Sequence, residues 1–398
     1  MIFQTPELGH AEIALLDEIS TLRGSAGRYL AATHTWNRSL RRLTNARNLQ
    51  GSNAIEGYHS SVDDALAIAD GDLPQDADGA TAAALAGYQS AMTYVLTRSV
   101  DPDFTYTTDT FKALHFMLIQ HDRAALPGRW RSTSVFVRAA SGEAVYEGAE
   151  LARVDDLVTE LADELTGTES ASSASSRVSA LHSEPLVAAA MAHLNLVMIH
   201  PFGDGNGRMS RILQSLVLAR AAARAGEVLA PEYLSIEEYL GANTEDYYQV
   251  LAETGGGRYL PGRNPLPWVR FALTAHRDSM RQLLVNVQVS EQLWSALGEL
   301  PGINGSDRLT TALYDASFGG HRLRRSSHVR SVLNTTGEAI GEQTATRDLT
   351  SLAELGFLVP HGERRARFYV VSGQLTQIYL RIRNRVTEQL DHPPTPQA

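Results

Sequence analysis

The 398-residue chain contains no cysteine. That excludes disulfides, thiolate metal sites and cysteine nucleophiles. Lysine is almost as scarce, Lys112 being the only one. A P-loop requires a lysine after its glycines, so no Walker-type phosphate grip exists here, and any nucleotide must be held another way. The opening stretch Met1–Ala14 carries Glu7 and Glu12 and lacks the basic-then-apolar pattern of a signal peptide. Long apolar runs are missing too. The longest, Leu186–Ile199, is interrupted by His193 and Asn195 and is too short to cross a bilayer. These absences give the expectation of a cytoplasmic protein with no membrane partner. Basic excess is also lacking, with a net charge of −10. From Ser290 onward 12 arginines face 11 acidic residues, so the acidic balance lies upstream. That upstream part is not built to bind nucleic acid by bulk charge.

What is present reads as a mainly α chain. Glu7–Leu49 shows helical periodicity, with Ile13, Leu16, Ile19 and Leu22 on one face. Helices are expected at Ser52–Ile68, Ala80–Thr97, Thr108–Gln120 and Val154–Leu165, with a loop at Asp70–Gly79. Short β-prone runs, Ser134–Val137 and Ala144–Tyr146, suggest a hairpin around Ser141-Gly142. Thr168–Ser179 is Ser/Ala-rich and reads as a flexible connector. Pro185 suits a helix first turn, leading into a buried helix Leu186–Ile199. Further helices follow at Arg208–Ala223, Ile236–Glu253 and Trp268–Leu297, with a long loop at Thr254–Pro267. The composition shifts near Leu300-Pro301-Gly302. Beyond it come helices at Thr310–Ser317, His328–Asn334 and Gln343–Leu355, then β-prone Phe357–Pro360 and Arg367–Val371. That is the order of a winged helix-turn-helix. The expected division is 1–100, 101–290 and 300–390.

Residues 200–211, His-Pro-Phe-Gly-Asp-Gly-Asn-Gly-Arg-Met-Ser-Arg, concentrate the chemistry. Asp204 is a hard oxygen ligand suited to Mg²⁺, which usually arrives with substrate phosphates. Gly205 and Gly207 permit positive φ and close backbone approach to an anion. Asn206 adds an amide donor. Arg208 and Arg211, three apart, project from one side of the following helix, and guanidinium forks match phosphate oxygens. The helix N-terminus adds partial positive charge. His200 can take a proton near neutral pH. Phe202 reads as the anchor of this loop in the core, and His193 as a core histidine.

The motif HPFx[D/E]GNGRxxR resembles that of the Fic family at every fixed position. The resemblance extends over roughly residues 10–290 and implies a Fic-type helical bundle with a β-hairpin flap. It implies transfer of AMP from Mg·ATP to a Ser, Thr or Tyr hydroxyl of a target protein. On that resemblance His200 is the base and Asp204 the Mg²⁺ ligand. Gly205, Asn206 and Gly207 form the anion hole, Gly203 is counted with them among the nucleotide-binding residues, and Arg208 and Arg211 contact the β- and γ-phosphates. Gly207 stands where phosphotransferring relatives carry lysine.

Ser52-Asn53-Ala54-Ile55-Glu56-Gly57 is similar to the family's inhibitory pattern [S/T]xxxE[G/N]. The resemblance implies a class II arrangement, with Glu56 on an N-terminal inhibitory helix pairing with Arg211 and misplacing ATP. A carboxylate beside two phosphate-binding arginines competes with the γ-phosphate as a charge-assisted partner. The segment from Pro127 through Val135 to Tyr146-Glu147 resembles the family's flap, which captures a target strand. Asn243 and Tyr247-Tyr248 match a weaker pattern near the nucleoside in relatives. In the last segment, Thr344, Thr346 and Arg347 on the third helix invite comparison with DNA readers. So do the clusters Arg322, Arg324, Arg325 and Arg364, Arg365, Arg367. DNA, a protein partner and a homodimer all stay open for this module. Two other functions stay open: removal of AMP, and a DNA-binding regulator that senses nucleotide.

Overall fold

Helix-forming residues dominate, and the fold they give is mainly α. The computed structural model describes residues 1–138, 144–171, 184–363 and 367–391. The periodic stretch Glu7–Leu49 divides into α1 (His10–Leu30) and α2 (Thr35–Ala54). The rings of His34 and Trp36 stack at 5.3 Å where α2 begins. The expected helix Ser52–Ile68 is not one element. α2 ends at Ala54, Glu56 sits in the turn beyond it, and α3 spans Val62–Ala69. The reason is Gly57, whose φ of 84° sends the chain out of the helical path.

α4 (Gly79–Ser99) and α5 (Thr108–Ile119) fall where expected. Asp78 and Thr107 cap them, each accepting from the backbone N–H three residues on. β1 (Phe136–Arg138) and β2 (Ala144–Glu147) pair antiparallel, Val137 opposite Tyr146. The expected turn at Ser141-Gly142 lies outside the described residues. α6 (Val154–Ala171) runs past its expected end, so Thr168 and Glu169 are helical. Glu169 accepts from Tyr106, Arg220 and Arg224 at 2.8–2.9 Å, which holds that extra turn in place. The rest of the expected connector, from residue 172, lies outside the described residues.

α7 (Pro185–Ile199) is apolar on nearly every side and is buried accordingly. α8 (Asn206–Ala225) packs along it, with α4 and α6 also against this pair. The expected helix Ile236–Glu253 splits into α9 (Glu237–Ala242) and α10 (Thr244–Gly255) because Asn243 leaves helical geometry, with φ −125° and ψ 42°. α11 spans Leu266–Gly298.

The last segment follows the expected order: α12 (Asp307–Phe318), α13 (Arg325–Thr336), α14 (Glu342–Glu354), then β3 (Leu358–His361) paired with β4 (Phe368–Val371). Leu323 adds a bridge to Tyr369, and α15 (Gly373–Asp391) closes the segment. The clustered arginines are largely engaged within it. Arg322 pairs with Asp63 at 3.0 Å, Arg325 with Glu342 at 3.3 Å, and Arg324 lies 5.5 Å from the Phe368 ring. Arg364 and Arg365 lie outside the described residues.

By internal packing the chain divides into two compact units. One unit comprises Met1–Thr21, Arg47–Ser61 and Gln75–Ser279, and the other Leu22–Ala46, Val62–Pro74 and Met280–Ala398. The first hundred residues are thus shared between the two units and do not stand alone. Among the described residues no helix is long and apolar enough to cross a membrane.

Candidate functional site

The site is the loop between α7 and α8. α7 stops at His200, which adopts the left-handed region (φ 55°) and returns its N–H to the Leu196 carbonyl at 3.0 Å. Gly205 (φ 76°) then opens α8. Helix geometry leaves the first-turn N–H groups, beginning at Asn206, without intrahelical partners and facing the loop.

The His200 ring is oriented by a single contact, Nδ1 to the Val197 carbonyl at 3.0 Å. A carbonyl can only accept, so Nδ1 carries the proton and Nε2 keeps its lone pair. Burial lowers the His200 pKa and outweighs the contribution of that hydrogen bond, while nearby Arg131 lowers it further. The imidazole is therefore a neutral base at physiological pH.

Three side chains build the loop: Trp130 and Arg131, read from the sequence only as part of the flap segment, and His115, which sequence reading left without a role. Arg131, only 5% exposed, donates to the carbonyls of His200 (2.8 Å), Thr133 (2.9 Å) and Ala149. It ties the hairpin base to the backbone of His200 itself. His115 stacks on Phe202 at 3.7 Å between centroids. Its Nδ1 accepts from Gly128 N–H at 3.0 Å, so its Nε2–H donates to the Asp204 carbonyl at 3.1 Å. Burial depresses the His115 pKa to about 4, consistent with that neutral tautomer. Trp130 packs near Phe202, with its indole N–H donating to Asp155 at 2.7 Å. Phe202 is fully buried, the anchor expected of it. The Asn206 amide, expected to face phosphate, instead exchanges hydrogen bonds with the Phe202 backbone at 2.9 and 3.0 Å. Its side chain closes the loop, and only its backbone N–H is left for an anion.

Arg208 and Arg211 are both buried on α8, each 1% exposed, yet they are treated differently. Arg211 is nearly saturated. Nε donates to Ser52 Oγ at 2.7 Å, and Nη2 to the Ser52 carbonyl at 2.9 Å and Glu56 Oε1 at 2.7 Å. Burial works against its charge, but the Glu56 carboxylate more than compensates and raises the Arg211 pKa. Arg208 approaches Asp204 only at 3.7 Å and lies 5.0 Å from the Tyr58 ring. Its Nε and Nη1, and Nη1 of Arg211, are buried without a hydrogen-bond partner. Desolvated, unpaired guanidinium nitrogens on one helix face are prepared for an anion. Gly207 lies against the Glu56 carboxylate, where a Cβ would collide with it.

Asp204 and Gly203 are exposed at the loop's rim. Among the described residues no group of three or more His, Asp or Glu could enclose a metal. One open carboxylate beside unpaired arginines nevertheless suits Mg²⁺, which commonly uses one or two carboxylates plus phosphate oxygens.

The hairpin divides its roles. Tyr146 is buried and donates to the Met198 carbonyl at 2.7 Å, so it anchors β2. Glu147 has both backbone groups engaged, N–H to Gly257 and carbonyl to Tyr259, each at 3.0 Å. Val135 accepts from Gly148 N–H at 3.2 Å. An added strand therefore has β1 as its open edge, not β2. Asn243 stands just before α10 without a side-chain capping bond, its amide donating instead to the Tyr239 carbonyl at 2.8 Å. Tyr247 lies in the core with its hydroxyl 2.9 Å from His193 Nε2, while His193 Nδ1–H donates to Gln214 at 2.7 Å. His193 is thus the core histidine expected, its pKa pressed down to about 3 by burial. Tyr248, the half-exposed neighbour, donates to the Ile55 carbonyl at 3.0 Å beside Glu56.

Residues 105–218 match the Fic/DOC family. The chain carries a Fic domain. It is 25% identical over 258 residues to "Protein adenylyltransferase Fic" of Nematostella vectensis, covering 64% of this chain and 54% of that one. It is 33% identical over 116 residues to "Protein adenylyltransferase fic-1" of Caenorhabditis elegans, 28% of this chain and 19% of that one. The chain thus spans about half of the first relative and less of the second. Among solved structures, a Fic family protein from Desulfovibrio desulfuricans G20 superposes with a TM-score of 0.52 at 23% identity, covering 93% of this chain and 98% of that one. Fic-1 from C. elegans gives 0.52 at 20% identity, covering 68% and 72%. The fold is shared at these identities. The Fic domain holds the loop 200–211, His115, Arg131 and the hairpin, whereas Ser52, Glu56, Asn243 and Tyr247 lie outside the matched stretch.

Proposed function

We propose that this protein transfers AMP from Mg·ATP to a hydroxyl of a protein substrate, itself included, and that Glu56 holds the reaction off. The observation that carries this is the contrast on α8. Buried nitrogens of Arg208 and Arg211 lack hydrogen-bond partners, while the Glu56 carboxylate already occupies Arg211 at 2.7 Å and Asp204 approaches Arg208 only at 3.7 Å. In the reaction the acceptor oxygen attacks the α-phosphorus as its proton passes to His200 Nε2. The bond to the α–β bridging oxygen breaks, and pyrophosphate leaves. Arg208 and Arg211 hold the β- and γ-phosphates, with the first-turn N–H groups of α8 supporting the anion. Mg²⁺, held by Asp204 and the phosphates, would neutralise charge on the leaving pyrophosphate. The target segment adds along the open edge of β1.

Hydrolytic removal of AMP is a second reading. It is favoured by Glu56, whose charge acts on His200 and tends to raise its pKa, as a carboxylate serving the same centre would. For the last segment, the engagement of Arg322 and Arg325 with carboxylates favours protein docking over DNA.

Mass spectrometry after incubation with Mg·ATP is the direct test. Glu56→Gly is expected to raise AMP incorporation about ten- to a hundredfold, the worth of one charge-assisted hydrogen bond. Adding His200→Ala is expected to abolish it. Equal incorporation with and without His200 overturns the mechanism. Loss of AMP from a premodified substrate, dependent on Glu56, selects the hydrolytic reading instead.

A further inference from the structure

Arg131 spends every nitrogen of its guanidinium on backbone carbonyls from three separate segments. Nε donates to His200 at 2.8 Å, Nη1 to Thr133 at 2.9 Å, and Nη2 to Ala149. Its own backbone N–H donates to the Pro201 carbonyl at 2.9 Å. One residue therefore grips two consecutive carbonyls, those of His200 and Pro201. It ties them to the chain entering β1 and to the chain leaving β2. Burial lowers its pKa, an effect that the Glu147 charge only partly offsets. A planar fork reaches three directions that a point donor such as an ammonium cannot.

The residue it grips is held away from ordinary geometry. His200 has φ 55° and ψ 57°, a left-handed conformation that persists in a residue with a side chain only where its surroundings over-determine it. Three backbone contacts do so here. His200 N–H donates to the Leu196 carbonyl at 3.0 Å, the His200 carbonyl accepts from Arg131, and Ala149 N–H donates to the Ile199 carbonyl at 3.2 Å. Gly148 leaves no slack, since a Cβ there would lie 3.0 Å from His200 Cβ. With the backbone so fixed, the ring places Nδ1 3.0 Å from the Val197 carbonyl, which decides the nitrogen that carries the proton.

We propose that Arg131 is a positioning residue for His200, acting through the backbone and touching neither nucleotide nor target. This rests on the reading of His200 as the base. The fork keeps His200 in the left-handed region, and that conformation seats Nδ1–H on Val197. Nε2 is thereby left with the lone pair that receives the acceptor's proton. A ring released from Val197 turns and exchanges tautomers, so Nε2 is protonated for part of the time. The same fork roots both ends of the hairpin. The edge that receives the target and the base that receives its proton share one anchor.

The test is Arg131→Lys in the Glu56→Gly background, which keeps a charge in the core and removes the fork. Mass spectrometry gives the rate of AMP incorporation at saturating Mg·ATP, and calorimetry the affinity and stoichiometry for Mg·ATP. The imidazole nitrogen NMR spectrum gives the tautomer, the His200 signal being the one lost in His200→Ala. The rate is expected to fall about a hundredfold, the cost of displacing a reacting group by about 1 Å. Affinity is expected to stay within about twofold, with full stoichiometry. The His200 signal is expected to move from the Nδ1–H tautomer toward the mixture of a free imidazole. A merely structural role lowers stoichiometry together with rate and leaves the tautomer of the folded molecules unchanged, and that result overturns the inference. So does a lysine variant as fast as its parent. Should Arg131→Lys not fold, Gly148→Ala presses on His200 with Arg131 intact. It is expected to slow incorporation about fivefold, the cost of one strained side-chain torsion, and to shift the tautomer the same way. An unchanged rate and tautomer in that variant overturn the inference. A parent that incorporates no AMP overturns the functional reading, while the tautomer comparison still decides whether Arg131 fixes the ring.

Discussion

Arg208 and Arg211 lie three residues apart on one helix, equally buried, in opposite circumstances. The region around Arg211 is furnished: Ser52 contributes a hydroxyl and a carbonyl, and Glu56 a carboxylate. The region around Arg208 offers an aromatic face and a distant, exposed carboxylate, and two of its nitrogens stay unpaired. Desolvating a guanidinium without partners is costly. A fold that bears this cost at one position while satisfying the neighbour three residues on fits the proposed division, a ligand at the first and control at the second.

The largest test of this contrast is to remove each arginine in the Glu56→Gly background. Either change to alanine is expected to reduce AMP transfer by about a hundredfold, since each removes a charge-assisted phosphate contact. Stability should separate them. Arg211→Ala in the otherwise natural chain breaks a buried, hydrogen-bonded cluster and is expected to cost about 2–3 kcal/mol in denaturant unfolding. Arg208→Ala is expected to stay within about 1 kcal/mol, because it discards a charge with little to lose. Equal stability losses would erase the distinction.

A smaller test uses Gly207. Alanine there collides with the Glu56 carboxylate and should dislodge it. A double-mutant cycle with Glu56→Gly is expected to show a coupling of about 1–2 kcal/mol, because the alanine has nothing to displace once Glu56 is gone. Additive effects would mean that Gly207 does not sense the inhibitor. The smallest expected effect is at Tyr58. Removing the ring that faces Arg208 with Tyr58→Ala should change the affinity for Mg·ATP by about two- to fivefold, the worth of one cation–π contact. Titration calorimetry measures it, and no change would confine control to Arg211.

Much of the site was legible because it is local. Twelve consecutive residues carry the base, the metal-suited carboxylate and both arginines, and the apolar run before them announced α7. Glu56 was legible as a motif but misplaced within a helix, because one glycine with positive φ ends α2 and no periodicity reveals that. The reciprocal bonds of the Asn206 side chain with Phe202 were not legible, because they exist only once the loop closes. His115 gave no sequence signal at all, and Arg131 was read only as part of the flap segment. Each acts on residues distant along the chain, through hydrogen bonds that only the folded packing creates. The same holds for Asp63 and Arg322, 259 residues apart, whose pairing engages a cation that the sequence leaves without a partner. The order of helices and strands after residue 300 was readable, since it depends on local propensity, whereas the bridge from Leu323 to Tyr369 was not.

One feature of α2 bears on how control can be lifted. Its Gly51 sits directly on α9, where a Cβ would meet the Glu237 carbonyl at 2.5 Å, and a Cβ on Gly241 would meet Gly51 Cα at 2.6 Å. Two backbones touch there with no side chain between them. Sliding α2 by one residue in either direction would drive Gln50 or Ser52 into that contact, so the helix is keyed against translation. On the proposed reading, Glu56 would then leave Arg211 by unfurling of the short turn at residues 55–57, hinged on Gly57, while the rod behind it stays in register. The latch is only a few residues long, and it can open without any rearrangement of the bundle that carries it.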